Sequence, residues 1–260
     1  MLGLGSGIPR VDIAETFSTS TANTKSMHLD NVGDSLVLVD QDEFSFSGTG
    51  DLDDTPFSLS CWVIRDGQSS DGLVSKGRAA DSNLEWRVFW VSSSLYVDIS
   101  DGGVAGHNYT RAIFPDAHTG WHHITITYNP ERRNVGKGLR CYINGSDIVP
   151  SSHGGVDIEG MTPGGGLLFI GRIDDASYHL GGSICQFVIW KDHIISENEA
   201  QYLYNNADSP INVLASSSDY SGHNSVVLWL KLNTDANDSS GNGFNATALD
   251  DAALTSETPF

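Results

Sequence analysis

From residue 27 onward, short apolar-patterned runs alternate with clusters of Gly, Ser, Asn and Asp, the pattern of strands separated by turns. Residues 27–30 and 35–39 flank Asn31-Val32-Gly33-Asp34. Residues 57–64 begin as apolar/polar alternation and end apolar on both faces, as a central strand does. Residues 85–91 and 95–99 flank Ser92-Ser93-Ser94 and predict a hairpin. In residues 121–128, Ile124, Ile126 and Tyr128 point one way and Thr125 and Thr127 the other. Residues 138–143 run into Asn144-Gly145, a tight-turn pair. Residues 167–170, 183–190 and 226–232 complete the strand set, and 183–190, apolar on both faces, is expected to be central. One helix is predicted: Ser196 is a good N-cap, Glu199 completes a capping box, and Ala200, Leu203, Tyr204 and Ala207 share one face. The expected fold is an all-β antiparallel sandwich with one short helix.

Composition sharpens this picture. Hydrophobic residues make up 39% and charged residues 18% of the 260, which is globular, not disordered. All-β sandwiches run to about 250 residues as one unit, which favours a single domain. Residues 1–25 are rich in Gly, Ser and Thr and predict an extended arm. The sandwich is expected over 26–250 and a C-terminal tail over 251–260. The net charge of −19 argues against a nucleic-acid partner, because phosphate binding needs a basic patch. Cys61, Cys141 and Cys185 all lie in strand-like runs; buried thiols are expected, and one disulfide pair stays open. The N-terminus lacks the charged and apolar regions of a secretory signal. No apolar run reaches the about 18 residues that a membrane span needs.

Several segments, in one order, resemble the laminin-G-like, concanavalin-A-like domains. They are residues 29–37, Phe57-Ser58-Leu59-Ser60-Cys61-Trp62-Val63, Leu73-Val74-Ser75-Lys76-Gly77, Trp121-His122-His123, residues 139–145, Ile170-Gly171-Arg172 and residues 182–205. The resemblance implies a jelly-roll sandwich. Asp238-Ser239-Ser240-Gly241-Asn242-Gly243 resembles a loop that precedes the sandwich in many such domains but follows it here, after Leu228-Trp229-Leu230-Lys231-Leu232. That layout is similar to concanavalin-A-like virion proteins of tailed bacteriophages. It implies a non-enzymatic virion protein: a capsid decoration, fibre or tail module on the particle surface. The arm at 1–25 would then dock on other virion proteins in an assembly. The alternative is an extracellular carbohydrate-binding or adhesion module attaching to cell-surface glycans.

The candidate chemistry is that of binding. Glucanases of this fold carry a strand of paired carboxylates. Here the nearest fragment is Asp157-Ile158-Glu159, which is not expected to be catalytic. Trp86, Trp90, Tyr96 and Tyr109 lie on or near predicted hairpins and are the candidate sugar platform. Trp62, Trp121, Trp190 and Trp229 sit in dense apolar runs and are expected in the core. His122 and His123, adjacent on a strand, face opposite ways; one is expected buried and the other exposed. Calcium, which takes oxygen ligands on loops, would find them at Asp238, Asn242, Asp235 and Asp174. The alternative there is that Asp, Asn and Gly only build Asx turns.

Overall fold

The computed structural model describes residues 23–48, 53–102, 108–132, 136–173, 178–205 and 209–260. Most of the expected arm, and Asp174 and Ala207, lie outside the described residues. The described residues form two sheets. In spatial order, sheet A is β10 (Ser146–Ile148), β9 (Leu139–Ile143), β8 (His122–Tyr128), β3 (Phe57–Arg65), β13 (Gly181–Lys191), β1 (Ser26–Asp30) and β16 (Ala253–Thr255). β14 (Val226–Leu230) also pairs with β13. Sheet B is β11 (Ser152–Gly155), β7 (Tyr109–Pro115), β6 (Ser94–Ser100), β5 (Trp86–Val91), β4 (Ser70–Lys76), β12 (Leu168–Ile170), β2 (Ser35–Leu38) and β15 (Thr247–Leu249). Every pairing among these strands is antiparallel. The architecture is the jelly-roll sandwich expected of the sequence.

The period-two pattern decides what lies between the sheets. From sheet A come Phe57, Leu59, Cys61, Ile124, Ile126, Tyr128, Ile184 and Phe187; from sheet B come Val74, Trp86, Val88, Trp90, Leu95 and Val97. All three cysteines are free and buried, and burial pushes the Cys61 and Cys185 thiols far up.

β13 is buried along ten of its eleven residues. β3 runs along one of its edges, while β1 and then β14 share the other. The change of partner falls at a bulge, where Gln186 takes φ +51 and accepts a bond from the Trp229 indole Nε1 at 2.8 Å. On the outer face of sheet A, Val188, Trp190 and Tyr142 are covered by Ile195, Ala200, Leu203, Val213, Tyr220 and Val226. Ala200 and Leu203 belong to α1 (Glu197–Tyr204), the one α-helix among the described residues, which starts at Ser196 with the expected capping box.

The expected tail at 251–260 differs from the structure. β16 pairs with β1, the Ser26 hydroxyl donates to the Glu257 carbonyl at 2.6 Å, and Phe260 meets Trp62 edge-on at 5.4 Å. β15 pairs with β2 in the other sheet. The reason lies at the sheet edges. Each three-residue strand satisfies backbone groups that β1 and β2 would otherwise leave unpaired. Strands this short carry no readable periodicity.

Buried charges fasten the frame around Lys76 and again around Glu199. The Lys76 ammonium, fully buried, donates to Asp40 at 2.5 Å and to the Gly166 carbonyl at 2.6 Å, and lies 3.2 Å from the equally buried Glu85. Burial pushes the Glu85 carboxyl up, against the pull of Lys76. Lys76→Met would strand Glu85 without its counter-charge. It is expected to cost about 3–5 kcal/mol in urea unfolding, and adding Glu85→Gln should recover part of that loss.

Glu199 is the second. Its Oε2 accepts from the Ser196 amide and hydroxyl, and its Oε1 from the Ser221 amide and hydroxyl, so it ties the helix start to the segment covering sheet A. Burial raises its pKa, but these bonds outweigh burial and pull it down to about 2. A lowered carboxylate pKa gives stability that is present above the unfolded value of about 4.3 and lost as pH falls through the folded one. Denaturation midpoints are therefore expected to fall between about pH 4.3 and about pH 2, and to fall less steeply in Glu199→Gln.

Candidate binding face

Sheet A is covered outside by the α1 layer; sheet B carries instead a row of charged and aromatic side chains. Strand register sets Phe169, Ser75, Arg87, Asp98 and Arg111 side by side across β12, β4, β5, β6 and β7. Phe89, Tyr96 and Ile113 form the next row. Alternation explains the side they take: Trp86, Val88 and Trp90 point into the core, so Arg87 and Phe89 point out.

Asp98 is fully buried beneath the two arginines. Arg87 Nε donates to its Oδ2 at 2.8 Å, Arg111 Nε to its Oδ1 at 2.5 Å and Arg111 Nη2 to its Oδ2 at 2.7 Å. Burial works against the Arg111 charge, but Asp98 outweighs it and raises the guanidinium pKa. The Arg111 guanidinium lies 4.4 Å from the Tyr109 ring centre and 5.0 Å from that of Tyr96, and Arg87 lies 4.9 Å over Phe89. Phe89 stacks on Tyr96 at 5.2 Å and takes the edge of Tyr178 at 5.5 Å. Two guanidiniums on one carboxylate leave the cluster one positive charge in excess, on a chain of net charge −19.

The expected sugar platform divides here. Tyr96 and Tyr109 lie half-buried on the outer face, joined by Arg111. Trp86 and Trp90 do not belong with them, since both are fully buried on the inner face. Trp86 Nε1 donates to the Phe44 carbonyl at 3.0 Å, and Trp90 Nε1 to Asp116 at 2.6 Å beneath the Arg65 guanidinium. Arg87, Phe89, Asp98 and Arg111 were missed. The same alternation at residues 86–91, followed one position along, would have found the first two.

The loop expected to offer calcium ligands is held by its own hydrogen bonds. Asp238 Oδ1 accepts from the Trp229 and Ser240 amides, and Oδ2 from the Ser240 hydroxyl and the Phe244 amide. Asn242 donates its amide to the Val227 carbonyl at 2.9 Å, and Asp235 accepts from the Asn237 amide at 3.0 Å. This is the Asx-turn alternative, with Asp238 pinning the loop to β14. A second acidic group joins Asp30, Asp34 and Asp251. There the buried Asp34 accepts from the Asp30 and Asp251 amides, both at 3.0 Å, and burial raises its pKa.

His122 and His123 face opposite sides of β8 as expected, but both are buried. The outer side of sheet A is roofed here, and His123 packs on Trp62 at 5.3 Å. His122 meets Asp116 and His118 instead.

A two-sheet jelly roll with a roofed sheet and a decorated one is the build of a lectin-like sandwich. Residues 39–200 match the model of the concanavalin A-like lectin/glucanases superfamily, and the chain belongs to that family. Among solved structures it is similar to a native heptameric SAP-like pentraxin from Limulus polyphemus. The identity is 11% and the TM-score 0.52, over 89% of this chain and 94% of that one. It is also similar to the botulinum neurotoxin serotype D binding domain, at 16% identity and TM-score 0.47, over 70% of this chain and 42% of that one. A third is the Ruminococcus gnavus IT-sialidase CBM40, at 12% identity and TM-score 0.44, over 58% of this chain and 83% of that one. These likenesses are of fold alone. No curated protein matches the chain.

Because Asp238 holds its loop through charge-assisted bonds, Asp238→Ala is expected to cost about 2–3 kcal/mol in urea unfolding. The cost should be the same in EDTA as in added calcium.

Proposed function

We propose that the protein is a non-catalytic binding module that takes an anionic glycan on the outer face of sheet B. The observation that carries this is the Arg87–Asp98–Arg111 row bordered by Phe89, Tyr96 and Tyr109. Guanidiniums held by a buried carboxylate are pre-oriented for the paired oxygens of a carboxylate or sulfate. The half-buried Tyr96 and Tyr109 beside them suit the apolar faces of a sugar ring, with the buried Phe89 as their support. Asp98 itself is committed to the arginines, so it is a positioning residue. Catalysis finds no support in the nearest carboxylate fragment, because Asp157 and Glu159 flank a buried Ile158 on an irregular segment.

The setting we infer is a virion surface, with host-surface glycans as the ligand. The support is the layout similar to tailed-bacteriophage virion proteins, in which a closing strand and its Asp-rich loop follow the sandwich. An extracellular adhesion module would use the same face. Calcium, a feature of part of this fold class, would find its acidic group at Asp30, Asp34 and Asp251, not at the self-bonded Asp238 loop.

The test is binding of the purified chain to an array of neutral, carboxylated and sulfated glycans. Binding to the acidic members is expected, weakening as salt rises. Arg111→Lys, which keeps the charge but loses the paired geometry, should reduce it, and Arg87→Ala/Arg111→Ala should abolish it while the melting transition stays cooperative. No binding, or binding to neutral glycans untouched by these substitutions, overturns the reading. Copurification with intact particles tests the virion setting, and a chain never found with particles contradicts it.

A further inference from the structure

Between β7 in sheet B and β8 in sheet A, residues 116–121 carry the chain from one sheet to the other. Two histidines and an aspartate meet at this crossing. Asp116 and His122 are fully buried, while the His118 side chain is 42% exposed. Asp116 is fixed from several directions. Its Oδ2 accepts from Trp90 Nε1 at 2.6 Å, its Oδ1 from the His118 amide at 3.2 Å, and its own amide donates to the Ser93 carbonyl at 2.9 Å. His118 Nδ1 lies 2.8 Å from Oδ1, and the His118 and His122 rings stack at 4.9 Å.

The informative atom is His122 Nε2. The other ring nitrogen, Nδ1, lies 2.9 Å from the Gly120 carbonyl oxygen. A carbonyl oxygen only accepts, so Nδ1 carries a proton. In the neutral ring Nε2 is then a bare lone pair. It is buried, makes no hydrogen bond, and sits 3.3 Å from Asp116 Oδ2. Two acceptors facing each other out of water require a cation between them, either a proton on Nε2 or a metal. The backbone carbonyl on Nδ1 is the arrangement that orients a metal-binding imidazole and fixes its tautomer. One ligand atom from each of Asp116, His118 and His122 lies within 4.8 Å of the others.

We infer that Asp116, His118 and His122 form a binding site for a divalent transition-metal ion of the zinc class. Two imidazole nitrogens and one carboxylate oxygen suit such an ion, and calcium and magnesium prefer all-oxygen sets. Three protein ligands leave a fourth position, and the exposure of His118 opens it to solvent on that side, for water or an outside ligand. The Trp90 indole and the His118 amide hold the Asp116 carboxylate in place beside the two imidazoles. His123 takes no part, since it faces the other side of the sheet. The inference is independent of glycan binding at Arg87 and Arg111.

The test uses the full chain, stripped with EDTA and desalted, then titrated with Zn²⁺ by calorimetry and with Co²⁺ by visible absorption. One equivalent of Zn²⁺, a raised melting temperature and the visible bands of low-coordinate Co²⁺ are expected, with Ca²⁺ producing none of these. His118→Ala removes an exposed ligand and leaves the buried frame intact. It is expected to weaken Zn²⁺ by about 10–100-fold or more and to erase the Co²⁺ bands. Asp116→Asn should do the same, its fold being checked by near-ultraviolet circular dichroism. No Zn²⁺ heat and no thermal shift near neutral pH would overturn the site, leaving Asp116 and His122 as an ion pair bridged by a proton. Unchanged Zn²⁺ affinity in His118→Ala would overturn it equally.

Discussion

The whole architecture answers to one strand that is buried on both faces. β13 sends Ile184 and Phe187 into the space between the sheets and Val188 and Trp190 to the outside of sheet A. An apolar side chain of that size gains about 1.5–3 kcal/mol from full burial and loses it if left in water. The outer face of sheet A therefore had to be roofed, and the chain from Ile195 to Val226 does this, with α1 at its start. Glu199 fastens that roof from both ends, and β14 returns from it to complete the edge of β13.

Among the described residues, the roof covers the outer face of sheet A and not that of sheet B. The outer side of sheet B avoids the same apolar demand by pairing aromatic rings with guanidiniums. The rings are sheltered by the charged heads, the heads are oriented by Asp98, and the rows stay in register because β-pairing holds them there. Charge and aromatic surface coexist in the way a glycan-recognition face requires. The metal cluster follows from the same frame, because Asp116 is anchored by the indole of Trp90, a core residue of sheet B.

The runs at 57–64, 85–91, 95–99, 121–128 and 183–190 could be read directly from the sequence, as could the helix from Ser196 and Glu199, because burial imposes a period on them. β7 (Tyr109–Pro115) could not, because its inward positions are Thr110, Ala112 and Phe114 and its outward ones include Ile113, which blurs the apolar alternation. Edge strands such as β15 and β16 could not, being three residues long and defined by backbone partners hundreds of positions away. Of the four aromatics that lie on or near the predicted hairpins, Tyr96 and Tyr109 face outward on sheet B, whereas Trp86 and Trp90 are buried on its inner face. Indole size suggests a platform as readily as a core, and only strand phase decides. Asp98 and its arginines depend on three strands being adjacent. The cluster at Asp116 depends on a crossing between sheets, although Asp116-x-His118-x-x-x-His122 stands open in the sequence.

The most direct measurement of the central claim is a crystal structure of the chain soaked with an acidic oligosaccharide. The account places the sugar carboxylate or sulfate within hydrogen-bond distance of Arg87 and Arg111, with its ring against Tyr96 or Tyr109. A ligand seated instead in the cleft of about 250 Å³ lined by Phe114, Lys137, Arg140 and His153, with the outer face of sheet B bare, would contradict it.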